Sequence, residues 1–122
     1  MSSHGEDACA QHSDTVLRSR IRALNDLLRS TQRGGQIFVT EGICSLGRGV
    51  VPLVMKAVAE FNDFTSDNDP YGEHDFGTLT VGGRRINWKI DYYDNDLKYG
   101  SPDPADPSVT TRVLTIMLAS EY

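Results

Sequence analysis

The chain contains a two-glycine turn, Gly82-Gly83, between two stretches in which apolar and polar residues alternate. Paired glycines readily adopt the positive φ angles of two-residue hairpin turns, so this signal predicts a β-hairpin with a defined register. Strict pairing outward from the turn places Gly77 opposite Trp88. Because side chains alternate along a strand, one face of the second strand should be apolar and buried against the helices. That face comprises Ile86, Trp88, Ile90 and Tyr92.

The same pairing places two ionisable residues on the opposite face of the hairpin. His74 falls opposite Asp91, and the register predicts a contact between their side chains across the two strands. A bulge at Gly77 would shift the register by one residue and remove that contact.

Two amphipathic segments precede the hairpin. Ser13 or Asp14 is predicted to cap the first helix, and Gly34-Gly35 should end it. The apolar stripe of this helix consists of Leu17, Ile21, Leu24 and Leu28. Its arginines fall largely off the stripe and are predicted to form a solvated face: Arg18, Arg20, Arg22 and Arg29. Pro52 suits the first turn of the second helix.

Two further segments complete a predicted sheet. Residues 36–40 are rich in β-branched residues, which favours a short strand. Residues 110–122 are apolar on both strand faces and indicate a central buried strand, with a terminal helix as the alternative. The resulting fold class is α+β, with two helices on one face of a four-stranded, mainly antiparallel sheet in the order α-β-α-β-β-β. Residues 1–12 are predicted to be a flexible tail, and residues 13–122 a single domain.

Composition limits the compartment and the direct partners. No apolar run approaches the length of a membrane span, and the N-terminus lacks a signal pattern. Cys9 lies in the polar tail and Cys44 in a glycine-rich turn, which does not suggest a disulfide framework. We therefore expect a cytoplasmic protein without a membrane partner. A formal charge of −5 disfavours direct binding to nucleic acid.

The negative charge is concentrated in one part of the chain. Residues 60–106 hold 11 acidic residues and 4 basic ones, a net charge of −7. Three prolines interrupt residues 94–107, so this part of the acidic segment is predicted to be a long loop.

A divalent-cation site is one interpretation of the acidic segment. Oxygen-bearing residues recur with the spacing of a calcium loop from residue 67, but position 12 is Thr78 where such a loop has a bidentate glutamate. The candidate metal ligands are Asp67, Asp69, Glu73 and His74. A related alternative is a metal-assisted hydrolase centred on this segment, in which His74 held by Asp91 would act as a base. The sequence offers no evident nucleophile, so no catalytic residue is assigned and no resident cofactor is expected.

The other interpretation is a protein-binding surface. Asp and Asn residues of the segment would satisfy turn backbone groups, while the remaining carboxylates and nearby tyrosines would face a basic partner. The candidate partner-binding residues are Asp67, Asp69, Tyr71, Glu73, Asp75, Asp91, Tyr93, Asp94, Asp96, Asp103 and Asp106.

The motifs FNDFTSDNDPYGEHDFG, WKIDYYD, GSPDPADP and RVLTIMLASEY are distinctive. Over roughly residues 38–122 the chain resembles an uncharacterised bacterial family, the domain of unknown function numbered 3768. The resemblance brings no established catalytic residues. It implies a small accessory protein carried on plasmids and other mobile elements of proteobacteria.

The acidic segment and this resemblance together suggest an anti-defence function. We expect a small acidic inhibitor of the anti-CRISPR or antirestriction type. Its partner would be a protein with a basic surface, such as a CRISPR effector or a restriction complex.

Overall fold

The computed structural model describes residues 3–122, with side chains from residue 14 onward. The described residues form three α-helices and four β-strands, so the predicted α+β class is confirmed. The helices are α1 (Ser3–Thr31), α2 (Glu41–Cys44) and α3 (Val50–Glu60). The strands are β1 (Gln36–Val39), β2 (Phe76–Val81), β3 (Arg84–Tyr93) and β4 (Thr111–Leu118). Two single 3₁₀ turns, Pro107–Val109 and Ala119–Glu121, flank β4.

The four strands form a mixed sheet in the order β1-β4-β3-β2. Strands β2, β3 and β4 pair antiparallel, whereas β1 pairs parallel with β4. The sequence predicts a mainly antiparallel sheet with one helix between its first two strands, and both details are wrong. The sheet is mixed, and two helices lie between β1 and β2. The last strand inserts between β1 and the hairpin, running in the same direction as β1. The glycine-rich stretch after β1 contains the extra helix α2, which buries Ile43.

The predicted hairpin register is confirmed. Gly77 pairs with Trp88, and the ladder continues to the pair of Phe76 and Lys89. Gly82 and Gly83 both have positive φ, at 58° and 80°, as the turn requires. A Cβ atom on Gly77 would collide with the indole of Trp88, which explains glycine at this position within a strand.

Strand β4 lies at the centre of the sheet, which confirms the strand interpretation over a terminal helix. Its residues are buried on both faces: Leu114 and Ile116 on the side of the helices, Val113 and Met117 on the other. A strand with neighbours on both edges and burial on both faces shows the continuous apolar run that the sequence displays.

One hydrophobic core holds the helices against one face of the sheet. The helices contribute Leu28 from α1, Ile43 from α2, and Val54 and Val58 from α3. The sheet contributes Ile86, Trp88, Ile90, Leu114 and Ile116, so the predicted buried face of the hairpin is confirmed. Gly77 and Tyr92 lie on the same face of the sheet, as the alternation along β2 and β3 requires.

Helix α1 begins at Ser3, earlier than the predicted cap at Ser13 or Asp14. Only part of its predicted apolar stripe reaches the core: Ile21 and Leu28 are buried, but Leu17 is exposed. The flexibility predicted for residues 1–12 stays a prediction, because residues 1 and 2 and the side chains up to residue 13, including Cys9, lie outside the described part. None of the described helices combines the length and apolarity that a bilayer crossing requires.

Replacing Trp88 with alanine should lower the free energy of unfolding by about 3–5 kcal/mol, because the large side chain is fully buried and its removal leaves a cavity. Urea denaturation would measure the change. The matched control is Tyr99→Ala, since Tyr99 is 75% exposed, and its effect should stay within about 0.5 kcal/mol. An unchanged midpoint for Trp88→Ala would contradict the buried position of the hairpin face.

Candidate functional site: the acidic end of the sheet

The topology brings the two acidic loops of the chain to the same end of the sheet. Strand β3 ends where β2 and β4 begin, as their antiparallel pairing requires. The loop leading into β2 and the loop joining β3 to β4 therefore lie next to each other. We call this region, residues 67–75 and 91–106, the acidic end.

The first loop is shaped by its own polar side chains. Asn68 accepts a hydrogen bond from the backbone N–H of Thr65 (2.8 Å) and donates one to the carbonyl of Asp63 (2.8 Å). Asp69 is only 8% exposed, and its Oδ1 accepts from the backbone N–H of His74 (3.1 Å). Asp69 thus stabilises the turn and does not present a free carboxylate to a partner.

His74 connects this loop to helix α1. Its ring is stacked on Phe64, with centroids 3.7 Å apart and planes 3° from parallel. Its Nδ1 lies 2.9 Å from Oδ1 of Asp26, and its Nε2 lies 3.7 Å from Oδ2 of Asp69. Both ring nitrogens therefore face carboxylates of the protein itself, an arrangement that fixes the loop and leaves neither nitrogen directed at a substrate.

The predicted contact between His74 and Asp91 is wrong. His74 has a positive φ of 55°, and β2 starts two residues later, at Phe76. This backbone conformation, which histidine tolerates better than most residues, turns the side chain away from the strand ladder. Asp91 instead pairs with Lys89, whose Nζ lies 3.0 Å from its Oδ2. That hydrogen bond raises the pKa of Lys89.

Arg29, which was predicted to lie on the solvated face of α1, is buried instead. It is 6% exposed, and its Nη1 donates to the carbonyls of Val58, Ala59 and Phe61 at 2.9, 3.2 and 2.7 Å. Its Nη2 donates to Asp26 (3.1 Å). A guanidinium at the carbonyl end of α3 satisfies orphan acceptors and complements the helix dipole. Of the other arginines in that set, Arg18 and Arg20 are exposed, while Arg22 donates to the carbonyl of Gly72 (3.2 Å).

A second buried network lies next to this cluster, centred on Asn25 and Arg112. Asn25 Nδ2 donates to Tyr92 Oη (2.7 Å) and to the carbonyl of Glu73 (3.0 Å), while its Oδ1 accepts from Arg112 Nε (2.9 Å). The hydroxyl of Tyr92 donates to Oε1 of Glu73 (2.9 Å). Arg112 also donates to the carbonyl of Pro104 in the second loop. Both acidic loops are thus anchored to one buried set of polar groups.

Burial sets the protonation states within this network. It raises the pKa of Tyr92, so the phenol keeps its proton and remains a donor to Glu73. It lowers the pKa of Arg112, although the negative charge of Glu73 opposes that effect. Neither Asn25 nor Arg112 is among the site residues predicted from the sequence. The one available signal was an arginine in the otherwise apolar segment 112–118.

The outward carboxylates come mainly from the second loop. Asp67, Asp96 and Asp103 are exposed, whereas Asp94 and Asp106 are partly buried. Three of the loop's aspartates accept hydrogen bonds from nearby backbone N–H groups: Asp94 from Lys98 (3.0 Å), Asp103 from Ala105 (3.1 Å) and Asp106 from Ser108 (2.9 Å). The bonds from Ser108 lower the pKa of Asp106.

Aromatic side chains accompany these carboxylates. Tyr71 and Tyr99 are largely exposed, and Tyr93 is partly buried. The guanidinium of Arg18 lies over the ring of Tyr71, 5.3 Å from its centroid. Helix α1 thus places basic groups beside the first loop, and the second loop is the more purely acidic part of the site.

Asp75 lies among other carboxylates at the acidic end. Burial raises its pKa, and the charges of Glu73, Asp69 and Asp91 raise it further. Four carboxylates are therefore close enough to repel one another, although Asp69, Glu73 and Asp91 each have a partner of their own. The eleven predicted partner-binding residues lie at one end of the sheet. The carboxylates of Asp69 and Glu73, however, accept hydrogen bonds from the protein itself.

The four predicted metal ligands do not form one site. Asp69 and His74 lie together, but Glu73 accepts from Tyr92 and Asp67 is exposed. Across the described side chains, no group of three or more His, Cys, Asp or Glu residues is arranged to hold a metal ion.

Replacing Asn25 with alanine should lower the free energy of unfolding by about 2–4 kcal/mol, because it leaves Arg112 Nε and the Glu73 carbonyl without a partner in a buried place. Chemical denaturation is the measurement, and Asn62→Ala, at an exposed position, is the control. Equal stability of the two variants would show that the network does not anchor the loops.

Replacing Asp75 with asparagine should raise the free energy of unfolding at pH 7. The pKa of Asp75 is raised in the folded state, so the wild-type protein loses stability as pH rises through that value, whereas the neutral amide does not. Below the unfolded-state pKa of about 3.9, the carboxyl is protonated in both states and the advantage should vanish. Urea titrations at neutral and acidic pH would detect this, with the exposed Asp63→Asn as control. A variant less stable than wild type at pH 7 would contradict the proposed repulsion.

Residues 39–121 match the model of a family described as "Protein of unknown function (DUF3768)". The matched span contains β2, β3, β4 and both acidic loops, while α1 with Asn25, Asp26 and Arg29 precedes it. No curated protein and no solved structure matches the chain. Since the match covers more than half of the sequence, the chain belongs to the DUF3768 family.

Proposed function

We propose that this protein is a binding protein that engages a basic surface on another macromolecule through its acidic end. The observation that carries the proposal is the convergence of both acidic loops at one end of the sheet, with exposed carboxylates at Asp67, Asp96 and Asp103. Side chains of one charge sign on a single surface steer and select partners of the opposite sign.

The electrostatic repulsion at Asp75 supports the proposal of a cationic partner. Burial and three neighbouring carboxylates disfavour its ionised form in the isolated protein. A lysine or arginine brought against this region would relieve that repulsion, so part of the binding free energy would come from removing an unfavourable interaction.

The interior of the acidic end supports binding without large rearrangement. His74, stacked on Phe64, holds the first loop against α1, and Arg112 holds the second through Pro104. A surface whose loops are already ordered loses less conformational entropy on association than a mobile one. Exposed tyrosines at positions 71 and 99 add amphipathic contact area beside the carboxylates.

The more specific role that we propose is inhibition of a nucleic-acid-handling defence complex. Channels that bind nucleic acid carry clustered Lys and Arg residues, and these are the groups that an array of carboxylates would occupy. A CRISPR effector or a restriction complex is the class of partner that fits this chemistry, and the protein would act by competing with nucleic acid for the channel.

The test is a binding titration of the labelled full chain against a purified CRISPR effector and a purified restriction complex. Affinity should fall at least tenfold between about 0.1 M and 1 M salt, because the screening length shrinks from about 10 Å to about 3 Å. Duplex DNA should displace the bound protein from the same complex.

A matched pair of variants locates the surface. The triple variant D67N/D96N/D103N removes three exposed charges from the acidic end, and D14N/E41Q/E60Q removes three exposed charges elsewhere. Only the first should weaken binding, by about tenfold or more. Absence of binding at low salt, binding that salt does not affect, or equal loss in both variants would refute the proposal.

A further inference from the structure

An open surface cleft with a volume of about 290 Å³ lies at the opposite end of the sheet from the acidic end. It is formed between the hairpin turn and the 3₁₀ turn that follows β4. Its lining consists of Gly83, Arg84, Arg85, Leu118, Ala119 and Ser120. We call it the arginine cleft.

The arginine cleft is basic in an acidic protein. Arg84 and Arg85 are exposed, and no carboxylate lines the cavity. Within the described part of the chain, neither guanidinium takes part in an ion pair. In a chain with 17 acidic and 12 basic residues, two adjacent unpaired arginines beside a cavity form a local excess of positive charge.

Glu121, which follows the lining residue Ser120 in the sequence, has other hydrogen-bond partners. Its Oε1 accepts from the backbone N–H of Leu118 and from the hydroxyl of Thr40, each at 2.8 Å. These hydrogen bonds lower the pKa of Glu121, with the bond from Leu118 as the largest cause. The carboxylate is therefore held by these two hydrogen bonds and forms no ion pair with Arg84 or Arg85.

The walls of the arginine cleft rest on rigid structure. Ile86, which follows the two arginines, is fully buried and pairs with Leu118. Consecutive residues of a strand project to opposite faces, so Arg84 and Arg85 leave β3 on its two sides. Both nevertheless line the cleft at the strand end, so a small anion placed there would be adjacent to two cationic residues.

We infer that the arginine cleft binds a phosphate group, either free or as the terminal group of a small phosphomonoester. Guanidinium groups donate paired hydrogen bonds that match phosphate geometry, and Ser120 adds a hydroxyl donor to the lining. The volume is at the lower limit of small-molecule pockets, roughly 300–1,000 Å³, which suits one phosphate with a short substituent. This inference does not depend on the proposed function of the acidic end.

The test is an NMR titration of the ¹⁵N-labelled full chain with inorganic phosphate and, separately, with AMP, at constant ionic strength set by sodium chloride. Saturable shifts should appear at the amides of residues 83–85 and 118–120. Tighter binding of AMP would assign a phosphomonoester, and equal binding would assign phosphate itself. Because this measurement uses the unmodified protein, it does not depend on any variant folding.

Two variants with the same charge change provide the comparison. R84Q/R85Q should weaken phosphate binding at least tenfold, the effect of losing one charge-assisted hydrogen bond or more. R20Q/R33Q, at exposed positions on α1 and after it, should bind as the unmodified protein does. Linear, unsaturated shifts, shifts centred on other arginines, or undiminished binding by R84Q/R85Q would overturn the inference.

Discussion

The acidic end depends on a buried positive charge. Arg112 occupies a strand position at which its neighbours Leu114 and Ile116 are core residues, and it is almost completely shielded from water. Removing a guanidinium from water costs several kcal/mol unless hydrogen bonds replace its hydration. Here Asn25 and the carbonyl of Pro104 accept from it, and the ring of Tyr92 lies against its charge at 5.2 Å. These two acceptors and the ring come from three segments distant in sequence, so the contacts of this one side chain hold α1, β3 and the second acidic loop together.

Hydrogen bonds to buried side chains also explain why the acidic end stays ordered although its outer charges repel one another. The first loop ends in a histidine whose two nitrogens face Asp26 and Asp69, and Asp26 also accepts from Arg29. Arg29 in turn satisfies carbonyls at the end of α3. Arg112 links α1 to the second acidic loop, and Arg29 links α1 to the end of α3. Most of the favourable interactions are therefore buried, where screening is weak. The carboxylates of Asp67, Asp96 and Asp103 are exposed, and water and salt reduce the repulsion between them.

The sequence predicted the parts of this fold that follow from local rules. The register from Gly82-Gly83 to the pair of Phe76 and Lys89 needed only turn geometry and strand alternation, and it is confirmed. It failed at His74, because a single residue with positive φ ends the alternation and nothing in a pairing count signals it. The parallel pairing of β1 with β4 was also beyond local rules, since the two strands are far apart in the sequence.

The interior polar residues could not be predicted for a different reason. Arg29 and Asn25 are polar residues of an amphipathic helix, whose periodicity identifies only the apolar stripe. They are buried because α3 and the first acidic loop pack over that side of α1 and supply acceptors. A helical pattern records which residues are apolar, but it contains no information about which polar residues will meet a partner from 32 to 87 positions away. The sequence therefore predicted the charge of the candidate site and its place on the chain. Which carboxylates face outward and which face inward is seen only in the structure.

That division leaves a molecule whose sheet has opposite charges at its two ends. Strand β3 connects them: it begins with two arginines at the hairpin turn and ends beside Asp94 in the acidic loop. Its 10 residues span roughly 30 Å at about 3.3 Å per residue. Charges separated by that distance across the surface are screened at physiological ionic strength, where the Debye length is about 8 Å. An anion in the arginine cleft would therefore have little direct electrostatic effect on a basic partner at the acidic end. Any coupling between the two ends would have to pass through the packed sheet, along which Trp88 and Ile90 of β3 contact the same core that holds α1 in place.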